Sequence, residues 1–217
     1  MCGRYTITVK DSVIAEHFKA KQGSFEFGPS YNVAPTQQVP IVLERDGDRT
    51  LTSAQWGLLP SWVKDPKSFK ASMFNARAES LAEKASFKGP LRRKRAIIPA
   101  SGFYEWQRES SHKTPHYIQL EDETPMGLAG LYDIWNDEVL SFTIITTTPN
   151  ILMAKIHDRM PVILAPEDYD RWLTSTLTEV EAVEDLLKPY AGEMTERVVS
   201  AAVNSPKNNS PELVEAA

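Results

Sequence analysis

The sequence predicts an α+β protein in which a mostly antiparallel, curved and barrel-like β-sheet is flanked by helices. Short stretches of alternating or apolar residues recur along the chain, and turn residues separate them. Helical stretches lie between these strands without the strict alternation that is typical of parallel α/β folds. No internal repeat or flexible linker divides the 217 residues. We therefore predict a single domain over residues 1–217, with a polar tail from about residue 205.

The N-terminal part of the chain predicts one strand, one helix and one hairpin. GRYTITV alternates as a strand does, and DSVIAEHF has an acidic start and helical spacing. VPIVLE and TLTSAQWG flank the turn RDGD and are typical of a hairpin. The irregular stretches GSFEFGPSYNVAPTQ and LLPSWVKDPKSFKASMF lie on either side of this hairpin. Long irregular stretches inside a compact domain are more often functional than idle.

The remaining elements follow in mixed order. A helix is predicted around residues 76–84, then a basic segment, then the central strand RAIIPASGFYEWQ. PHYIQL, MGLAGLYD and VLSFTIITTT predict three more strands. A helix near residues 150–155, a short strand in MPVIL, helices in PEDYDRWL and TEVEAVEDLL, and a strand in ERVVS complete the chain.

Charge is distributed very unevenly along the chain. Residues 1–100 carry 16 basic and 9 acidic side chains, and residues 101–217 carry 8 and 20, so the two parts have net charges of +7 and −12. The densest basic segment is KGPLRRKR, from Lys88 to Arg95. Such asymmetry is compatible with a nucleic-acid surface on the basic part. A solvated helix face explains the same segment equally well.

Several classes of protein are excluded or disfavoured. Cys2 is the only cysteine, so the chain forms no internal disulfide and no multi-thiolate zinc site. Neither a membrane span nor a secretory signal is present in the sequence, and we expect a cytoplasmic protein, associated with the nucleoid in a bacterium. The sequence has no GxxxxGK[ST], HExxH, GxSxG or CxxC motif. We predict no cofactor and no metal.

Cys2 follows the initiator methionine directly, and removal of Met1 would turn it into an N-terminal 1,2-aminothiol. Its α-amine, with an ordinary pKa of about 7.7 to 8.0, is roughly 10 to 20 % neutral at pH 7. An amine alone gives an aldehyde a hydrolysable imine, whereas the adjacent thiol closes on that imine to a five-membered thiazolidine. The alternative is an incidental cysteine at position 2.

Glu105 is the second candidate for chemistry. It lies in IIPASGFYEW, whose two faces are both largely apolar, so we expect a strand that is covered on both sides. A carboxylate there needs a partner, and desolvation would raise its pKa, as suits a general acid or base. A structural carboxylate paired with an arginine is the competing interpretation.

Three further polar residues are candidates. His157, in KIHDRMPVIL, lies between a predicted helix and a short strand, where a loop can deliver an imidazole to a cleft. Asn75, in FNARAES, could cap the following helix, although the glutamate of a capping box is one position late. Arg77 could bind phosphate or pair with Glu79.

Seven segments together resemble one family. MCGRY, YNVAPTQ, WGLLPSW, FNARAES, SGFYEW, IHDRMPVIL and VNSPKNNSPEL occur in this order over almost the whole chain. This set resembles the SRAP family, the SOS-response-associated peptidases that form crosslinks to abasic sites in single-stranded DNA. Tyr5 stands where phenylalanine is commoner in the family.

The resemblance implies roles for four residues in a DNA damage response that shields the lesion. Cys2 would form a thiazolidine with the ring-opened abasic aldehyde, and Asn75 would hold the reacting residue and sugar. Glu105 would move protons during imine formation and reversal. His157 would assist opening of the sugar and stabilise the adduct.

The resemblance also implies a DNA surface. Arg77 and Arg4 would neutralise phosphates beside the lesion. Trp62, or the loop from Asn32 to Pro35, would fill the space of the missing base or separate its neighbours. The expected partner is single-stranded DNA that contains an abasic site, and the expected state of the protein is a monomer.

Two other functions remain open at the level of sequence. The family name implies a thiol peptidase, in which Cys2 attacks an amide with His157 as the base, and self-removal of Met1 would be its simplest form. A noncatalytic single-strand-binding module would need only the basic half and the loop aromatic side chains. In that module Cys2 is dispensable.

Overall fold

Fourteen strands and three α-helices form the fold in the computed structural model, which describes residues 2–45, 47–69, 71–108 and 113–217. The strands are β1 (Arg4–Ile7), β2 (Lys21–Gln22), β3 (Ser30–Val33), β4 (Gln38–Arg45), β5 (Asp48–Trp56), β6 (Asn75–Arg77), β7 (Arg95–Ala100), β8 (Gly102–Arg108), β9 (Lys113–Leu120), β10 (Met126–Trp135), β11 (Val139–Thr147), β12 (Met160–Pro161), β13 (Ile163–Leu164) and β14 (Met194–Val198). The helices are α1 (Asp11–His17), α2 (Ala85–Arg93) and α3 (Tyr169–Leu173). None of the helices in these ranges is long and apolar enough to cross a membrane.

A closed ring of five strands forms the centre of the molecule. β11, β10, β7, β4 and β5 pair in this order through antiparallel ladders, and a parallel pairing between β5 and β11 closes the ring. β7 is buried along its whole length, because its outer side is covered by α2 and α3. The predicted fold class, a mostly antiparallel barrel-like sheet with flanking helices, is confirmed.

Glycine is required at one position inside the ring. A Cβ atom on Gly130 of β10 would come within 2.1 Å of the Ile98 Cδ1 atom and 2.7 Å of the Thr143 carbonyl oxygen. Both contacts are shorter than van der Waals packing allows, and the carbonyl belongs to the backbone of the neighbouring strand. Gly130 therefore lets β7, β10 and β11 approach one another closely.

A second, five-stranded sheet has the order β14-β9-β8-β1-β3. It begins where RAIIPASGFYEWQ, predicted as one strand, divides at Ser101 into β7 of the ring and β8 of this sheet. The division arises because the Ser101 N–H donates to the Thr6 carbonyl at 2.8 Å and its Oγ accepts from the Thr8 N–H at 2.9 Å. These bonds turn the chain from the barrel onto β1.

Three predicted helices are wrong or shorter than expected. Residues 75–77 form β6, which joins the barrel in parallel with β11, and only the 3-10 turn Ala78–Ser80 follows it. The helix expected near residues 150–155 is the 3-10 turn Met153–Lys155. TEVEAVEDLL contains the two turns Val180–Ala182 and Glu184–Leu186. Pairing with β11 buries Ala76 at 1 % exposure, which helical periodicity could not anticipate.

The basic segment from Lys88 to Arg95 has two different environments. Arg92 and Arg93 are exposed at the end of α2, as a solvated helix face requires. Arg95 is 3 % exposed, and its guanidinium donates to four backbone carbonyls. These carbonyls belong to Leu91, Arg92, Trp172 and Thr174. Arg95 therefore joins α2 and α3 to β7 and presents no charge to a ligand.

Residues near the C-terminus pack onto the start of the chain through Arg4 and Asn32. The Arg4 Nη1 atom donates to the Asn32 Oδ1 atom at 3.0 Å and to the Val203 carbonyl at 2.8 Å. Asn32 is 2 % exposed, and its Nδ2 atom lies 2.9 to 3.3 Å from the carbonyls of Val203, Ser205 and Asn208. The region predicted as a polar tail also contains the buried Leu213.

Replacing Asn32 with alanine should destabilise the fold by about 2 to 4 kcal/mol, because it leaves buried carbonyls and the Arg4 guanidinium short of partners. Urea denaturation would measure this change. Gln38→Ala, at an exposed position in the same part of the chain, is the matched control and should shift stability by less than about 0.5 kcal/mol. Equal stability of Asn32→Ala and the parent would contradict an anchoring role.

Candidate active site

The pairing of β1 with β8 brings Cys2 and Glu105 together from opposite parts of the sequence. Arg4 lies opposite Tyr104 and Tyr5 lies opposite Phe103 in this antiparallel ladder. Cys2 precedes β1 by two residues, so it lies near the part of β8 that follows Tyr104 and includes Glu105. Both side chains are buried, with exposures of 0 % for Cys2 and 3 % for Glu105.

Asn75 reaches the same place from the barrel. It begins β6, which lies in parallel register with Ile144 of β11. Its Nδ2 atom donates to the Cys2 carbonyl oxygen at 2.9 Å. The Oδ1 atom is buried and accepts no hydrogen bond from the described residues. Asn75 therefore fixes the Cys2 backbone and keeps one acceptor available to a ligand.

His157 is the fourth member of this cluster. It follows the turn Met153–Lys155, and its backbone N–H donates to the Met153 carbonyl at 2.8 Å. Its Nε2 atom lies 3.9 Å from the Glu105 Oε1 atom. The structure thus brings together the four residues that the resemblance assigned to catalysis.

The Nδ1 atom of His157 has two neighbours that favour different tautomers. The Arg159 N–H, 3.0 Å away, donates to an unprotonated Nδ1 and leaves the ring proton on Nε2, facing Glu105. The Asp158 Oδ1 atom, 2.9 Å away on a largely exposed side chain, instead accepts from a protonated Nδ1. His157 can therefore hold its proton on either side of the ring.

Burial and a neighbouring negative charge control the Cys2 thiol. Desolvation is the main cause and the Glu105 charge is the second, and together they raise the pKa of Cys2 from its ordinary value near 9 to about 12. The thiol is therefore almost entirely protonated near neutral pH. A free thiolate is not the resting form of this residue.

An open cleft of about 950 Å³ lies next to the cluster. Glu105 and His157 line it together with the cations Arg77, Lys113 and Arg159 and the exposed carboxylate of Asp158. Arg159 is already paired with Glu79. Cys2 itself has no exposed surface and is not one of the described residues that line the cleft. The cations Arg77 and Lys113 near a buried thiol suit a ligand that carries negative charge.

Arg77 lines this cleft, but the other four residues predicted to bind DNA, all of which the structure describes, do not. Arg4 and Asn32 are held by the C-terminal region, and burial lowers the pKa of Arg4. Pro35 is half-buried in the turn after β3. Trp62 is 57 % exposed on a loop and lies edge-on to Phe69, with ring centroids 6.0 Å apart.

Two residues near the site were given no role from the sequence. Arg159 binds both carboxylate oxygens of Glu79, at 2.7 and 3.0 Å, and its Nη2 atom donates to the Thr146 carbonyl. These bonds hold the loop that carries His157, and the position of Arg159 two residues after a candidate histidine was the available signal. Tyr5 is fully buried and its hydroxyl has no hydrogen-bond partner in the described ranges.

Tyr5 also feels the charge of Cys2. Desolvation, followed by the Cys2 charge, raises the pKa of Tyr5 well above its usual value. Its ring packs edge-on against Trp56, with centroids 5.1 Å apart. A phenylalanine has the same ring, so the hydroxyl of Tyr5 is not needed for this packing.

The residues that the structure describes contain no group of three or more side chains that could bind a metal ion.

Comparison with known proteins gives a consistent result. The model of the family described as SOS response associated peptidase (SRAP) matches residues 1–206. The Abasic site processing protein YoqW of Bacillus subtilis (strain 168) is 46 % identical over 223 residues, which cover 99 % of each chain. The Abasic site processing protein HMCES of Xenopus tropicalis is 32 % identical over 263 residues, covering 100 % of this chain and 78 % of that protein.

Solved structures show the same fold. A crystal structure of a Bacteroides thetaiotaomicron protein superimposes with a TM-score of 0.89, at 30 % identity and with complete coverage of both chains. A Bordetella bronchiseptica protein gives a TM-score of 0.77 at 25 % identity, covering 92 % of this chain and 100 % of that one. The overall fold is therefore shared with both proteins.

Alkaline pH should destabilise the protein through Cys2. Because the folded thiol has a pKa of about 12 and the unfolded thiol one near 9, its stabilising contribution is complete below pH 9 and is lost as the pH rises towards 12. Above about pH 9 the unfolding free energy of the wild type should decrease with pH more steeply than that of Cys2→Ser, by up to roughly 1 kcal/mol per pH unit. Urea denaturation up to about pH 10, below most tyrosine ionisation, measures this slope. Parallel curves for both proteins would contradict the burial argument.

Proposed function

This chain belongs to the SRAP family, and on that premise we propose that it recognises abasic sites in single-stranded DNA and links to them covalently through Cys2. The names of its relatives supply the substrate class, since they describe abasic site processing proteins. The observation that carries the proposal is the convergence of Cys2, Asn75, Glu105 and His157 beside a cationic cleft. These residues come from four distant parts of the chain.

The reactive group is the pair of nucleophiles on Cys2 after removal of Met1, a residue that lies outside the described ranges. The α-amine attacks the aldehyde of the ring-opened abasic sugar, and loss of water gives an imine. The thiol then adds to the imine carbon, releases its proton, and closes a thiazolidine. Overall, one aldehyde oxygen leaves as water with one proton from nitrogen and one from sulfur.

The high pKa of the thiol supports this order of events. The pKa of about 12 applies to the chain that retains Met1, but burial and the Glu105 charge, its two main causes, also disfavour the thiolate in the mature chain. The thiol is therefore a poor first nucleophile at neutral pH, whereas roughly 10 to 20 % of an ordinary α-amine is neutral there. Once the imine forms, the thiol is part of the same residue, so ring closure is intramolecular and strongly favoured. Asn75 contributes by holding the Cys2 backbone during both steps.

Glu105 and His157 move the protons that these steps require. Glu105 protonates the departing hydroxyl group as a carboxylic acid and then accepts the thiol proton as a carboxylate. Its charge is one of the causes of the raised pKa of Cys2, so the two groups are electrostatically coupled, as this transfer needs. His157, with its Nε2 atom 3.9 Å from Glu105, assists opening of the sugar ring and stabilises the adduct.

Phosphates beside the lesion would meet the cations of the cleft. Arg77 is exposed and lines the cleft, so it is the first candidate for a phosphate contact. The exposed ring of Trp62 is free to stack on or separate bases. DNA contacts of Arg4, Asn32 and Pro35 remain predictions, and the observed bonds of Arg4 and Asn32 favour an anchoring function for both.

The word peptidase in the family description favours a second candidate function, removal of Met1 by Cys2 itself. The neighbouring Glu105 and His157 supply acid and base groups for amide cleavage as well. This activity would generate the aminothiol that crosslinking requires. The two functions are therefore sequential uses of one site.

Cys2→Ser should abolish the heat-stable crosslink, because serine retains the amine but lacks the thiol that closes the thiazolidine. Mature protein is mixed with a single strand carrying one abasic site, and adducts are separated by denaturing electrophoresis with and without borohydride. The wild type should give a stable adduct. Cys2→Ser should give at most an imine that only borohydride traps.

Two controls distinguish the competing functions. A chain that retains Met1 has no free Cys2 amine and should give no thiazolidine. Cys2→Ala should still bind the strand without crosslinking to it. A heat-stable adduct from Cys2→Ser or from the blocked chain would overturn the aminothiol chemistry, and absence of any adduct from the mature wild type would leave only a binding module.

Arg77→Glu should weaken binding to single-stranded DNA and make the affinity less sensitive to salt. Loss of one phosphate contact should reduce the slope of log K against log salt by about 0.7. Fluorescence anisotropy at several salt concentrations measures both quantities. Arg92→Glu is the matched control, because Arg92 is also exposed but lies on α2, away from the residues that line the cleft. An unchanged slope for Arg77→Glu, or a larger loss for Arg92→Glu, would move the DNA surface away from the cleft.

A further inference from the structure

His116 lies beside Glu105 in the second sheet. β8 and β9 are antiparallel, and Glu105 and His116 are direct partners in their register. Directly opposite residues of an antiparallel pair project from the same face, with Cβ atoms about 4.5 to 5.5 Å apart. His116 is 6 % exposed and Glu105 is 3 % exposed, so both are buried on this face.

The orientation of the imidazole follows from its other neighbour. The His116 Nδ1 atom lies 2.7 Å from the Glu196 Oε2 atom, and Glu196 belongs to β14. β9 lies between β14 and β8 in the sheet. Because Nδ1 is turned towards Glu196 on the β14 side, the distal Nε2 atom is turned away from β14, and β8 with Glu105 is the strand on that other side. Nε2 is buried and has no hydrogen-bond partner within the described part of the chain.

A buried polar atom without a partner requires an explanation. We propose that His116 and Glu196 form a proton path that connects Glu105 with solvent outside the cleft. The Glu196 side chain is 38 % exposed, and Glu196 is absent from the described residues that line the cleft. The path therefore begins at the buried Glu105 and ends at Glu196, which is in contact with solvent.

The path has a use in the chemistry of Cys2, and in this respect it rests on the proposed function. The α-amine is largely protonated at neutral pH and must lose a proton before it attacks the aldehyde. DNA bound in the cleft would cover Glu105 and His157 on that side. An exit through β9 keeps Glu105 in contact with solvent while the substrate is bound.

The proton balance is simple. The ammonium gives a proton to the Glu105 carboxylate, and Glu105 returns it to the departing hydroxyl group. After ring closure Glu105 holds the thiol proton and passes it through one water to His116 Nε2. The imidazolium then releases its Nδ1 proton to Glu196, which gives it to solvent. The neutral thiazolidine, one water, one proton in solvent and a His116 ring protonated on Nε2 are the products. Reversal of the crosslink runs the same transfers backwards and restores the proton on Nδ1.

The competing interpretation is that His116 and Glu196 are only a structural ion pair. Glu105 on β8 and Glu196 on β14 are the titratable groups that the described strands place against His116. The turn Ala201–Asn204, which also packs against β9, carries no titratable side chain. A purely structural pair would affect stability without changing how the crosslinking rate depends on pH.

Kinetics of crosslinking test the path. His116→Phe and Glu196→Gln should slow single-turnover crosslinking at pH 7 by on the order of tenfold, less than the hundredfold or more expected for a direct acid-base group. Affinity for single-stranded DNA should be unchanged, and the wild-type inflection in the pH–rate profile should shift. His17→Phe, a partly buried histidine that packs on Tyr169, is the matched control and should keep the wild-type rate.

The outcomes separate the path from the proposed function. A wild type that forms no adduct would overturn both. An adduct that forms in His116→Phe and Glu196→Gln with the wild-type rate and pH profile would overturn the path alone.

A readout without DNA guards against misfolding of these variants. The His116 ring resonances are recorded by ¹H–¹⁵N NMR in the wild type and in Glu105→Gln, both of which retain His116. They should differ between the two proteins, because Glu105→Gln removes the carboxylate on the β8 side. The His17 resonances should stay in place. Unchanged His116 resonances in Glu105→Gln would overturn the path even if crosslinking proceeds.

Discussion

The pairing of β1 with β8 is the interaction on which the site depends. It places the residue at position 2 beside the residue at position 105, and no local sequence preference could do this. The same ladder arranges alternate residues on two faces. Tyr5, Phe103 and Glu105 lie on the face that looks towards the barrel, whereas Tyr104 belongs to a separate apolar cluster with Tyr117 and Leu213. One register thus determines both the core and the chemistry.

The second sheet is held in this register from its outer side. Arg4 and Asn32, on β1 and β3, bind backbone carbonyls some 170 to 200 positions later in the chain. Tyr104 adds a bond from its hydroxyl to the Tyr31 carbonyl at 2.8 Å. Because these donors are buried or half-buried, breaking any of them leaves unsatisfied polar groups. The C-terminal region therefore stabilises the strand that follows Cys2, and it also reaches the cleft through Asn204, which accepts a hydrogen bond from the Trp106 Nε1 atom.

Sequence predicted the fold class and the buried strand that carries Glu105, because apolar residues on both faces of a strand are a local signal. It did not predict that this strand divides at Ser101, since the division depends on bonds to Thr6 and Thr8 from another strand. The helix expected at 76–84 failed for the same kind of reason, because β11 recruits those residues as a strand.

The sequence likewise identified some residues of the site but not their contacts in the fold. A family resemblance selects Cys2, Asn75, Glu105 and His157, but the sequence alone contains no measure of their distances. Asn32 looked like a loop residue available to DNA, and only the tertiary structure reveals its carbonyl partners. His116 gave no sequence signal, because a histidine within KTPHYIQL reads as one side chain of an ordinary strand. Its environment is defined by strands on both sides of it.

Burial of Cys2 protects its thiol from oxidation but makes that thiol a weaker nucleophile. A protonated thiol with a pKa of about 12 resists oxidation, since the thiolate is the form that oxidants attack. The same protonation makes the thiol a weak nucleophile towards a free aldehyde. In a thiazolidine mechanism this weakness matters little, because the amine makes the first bond and ring closure then gains the large effective concentration of an intramolecular reaction. A buried, protonated thiol beside a carboxylate that can take its proton is therefore better suited to closing a ring than to acting as a free thiolate nucleophile.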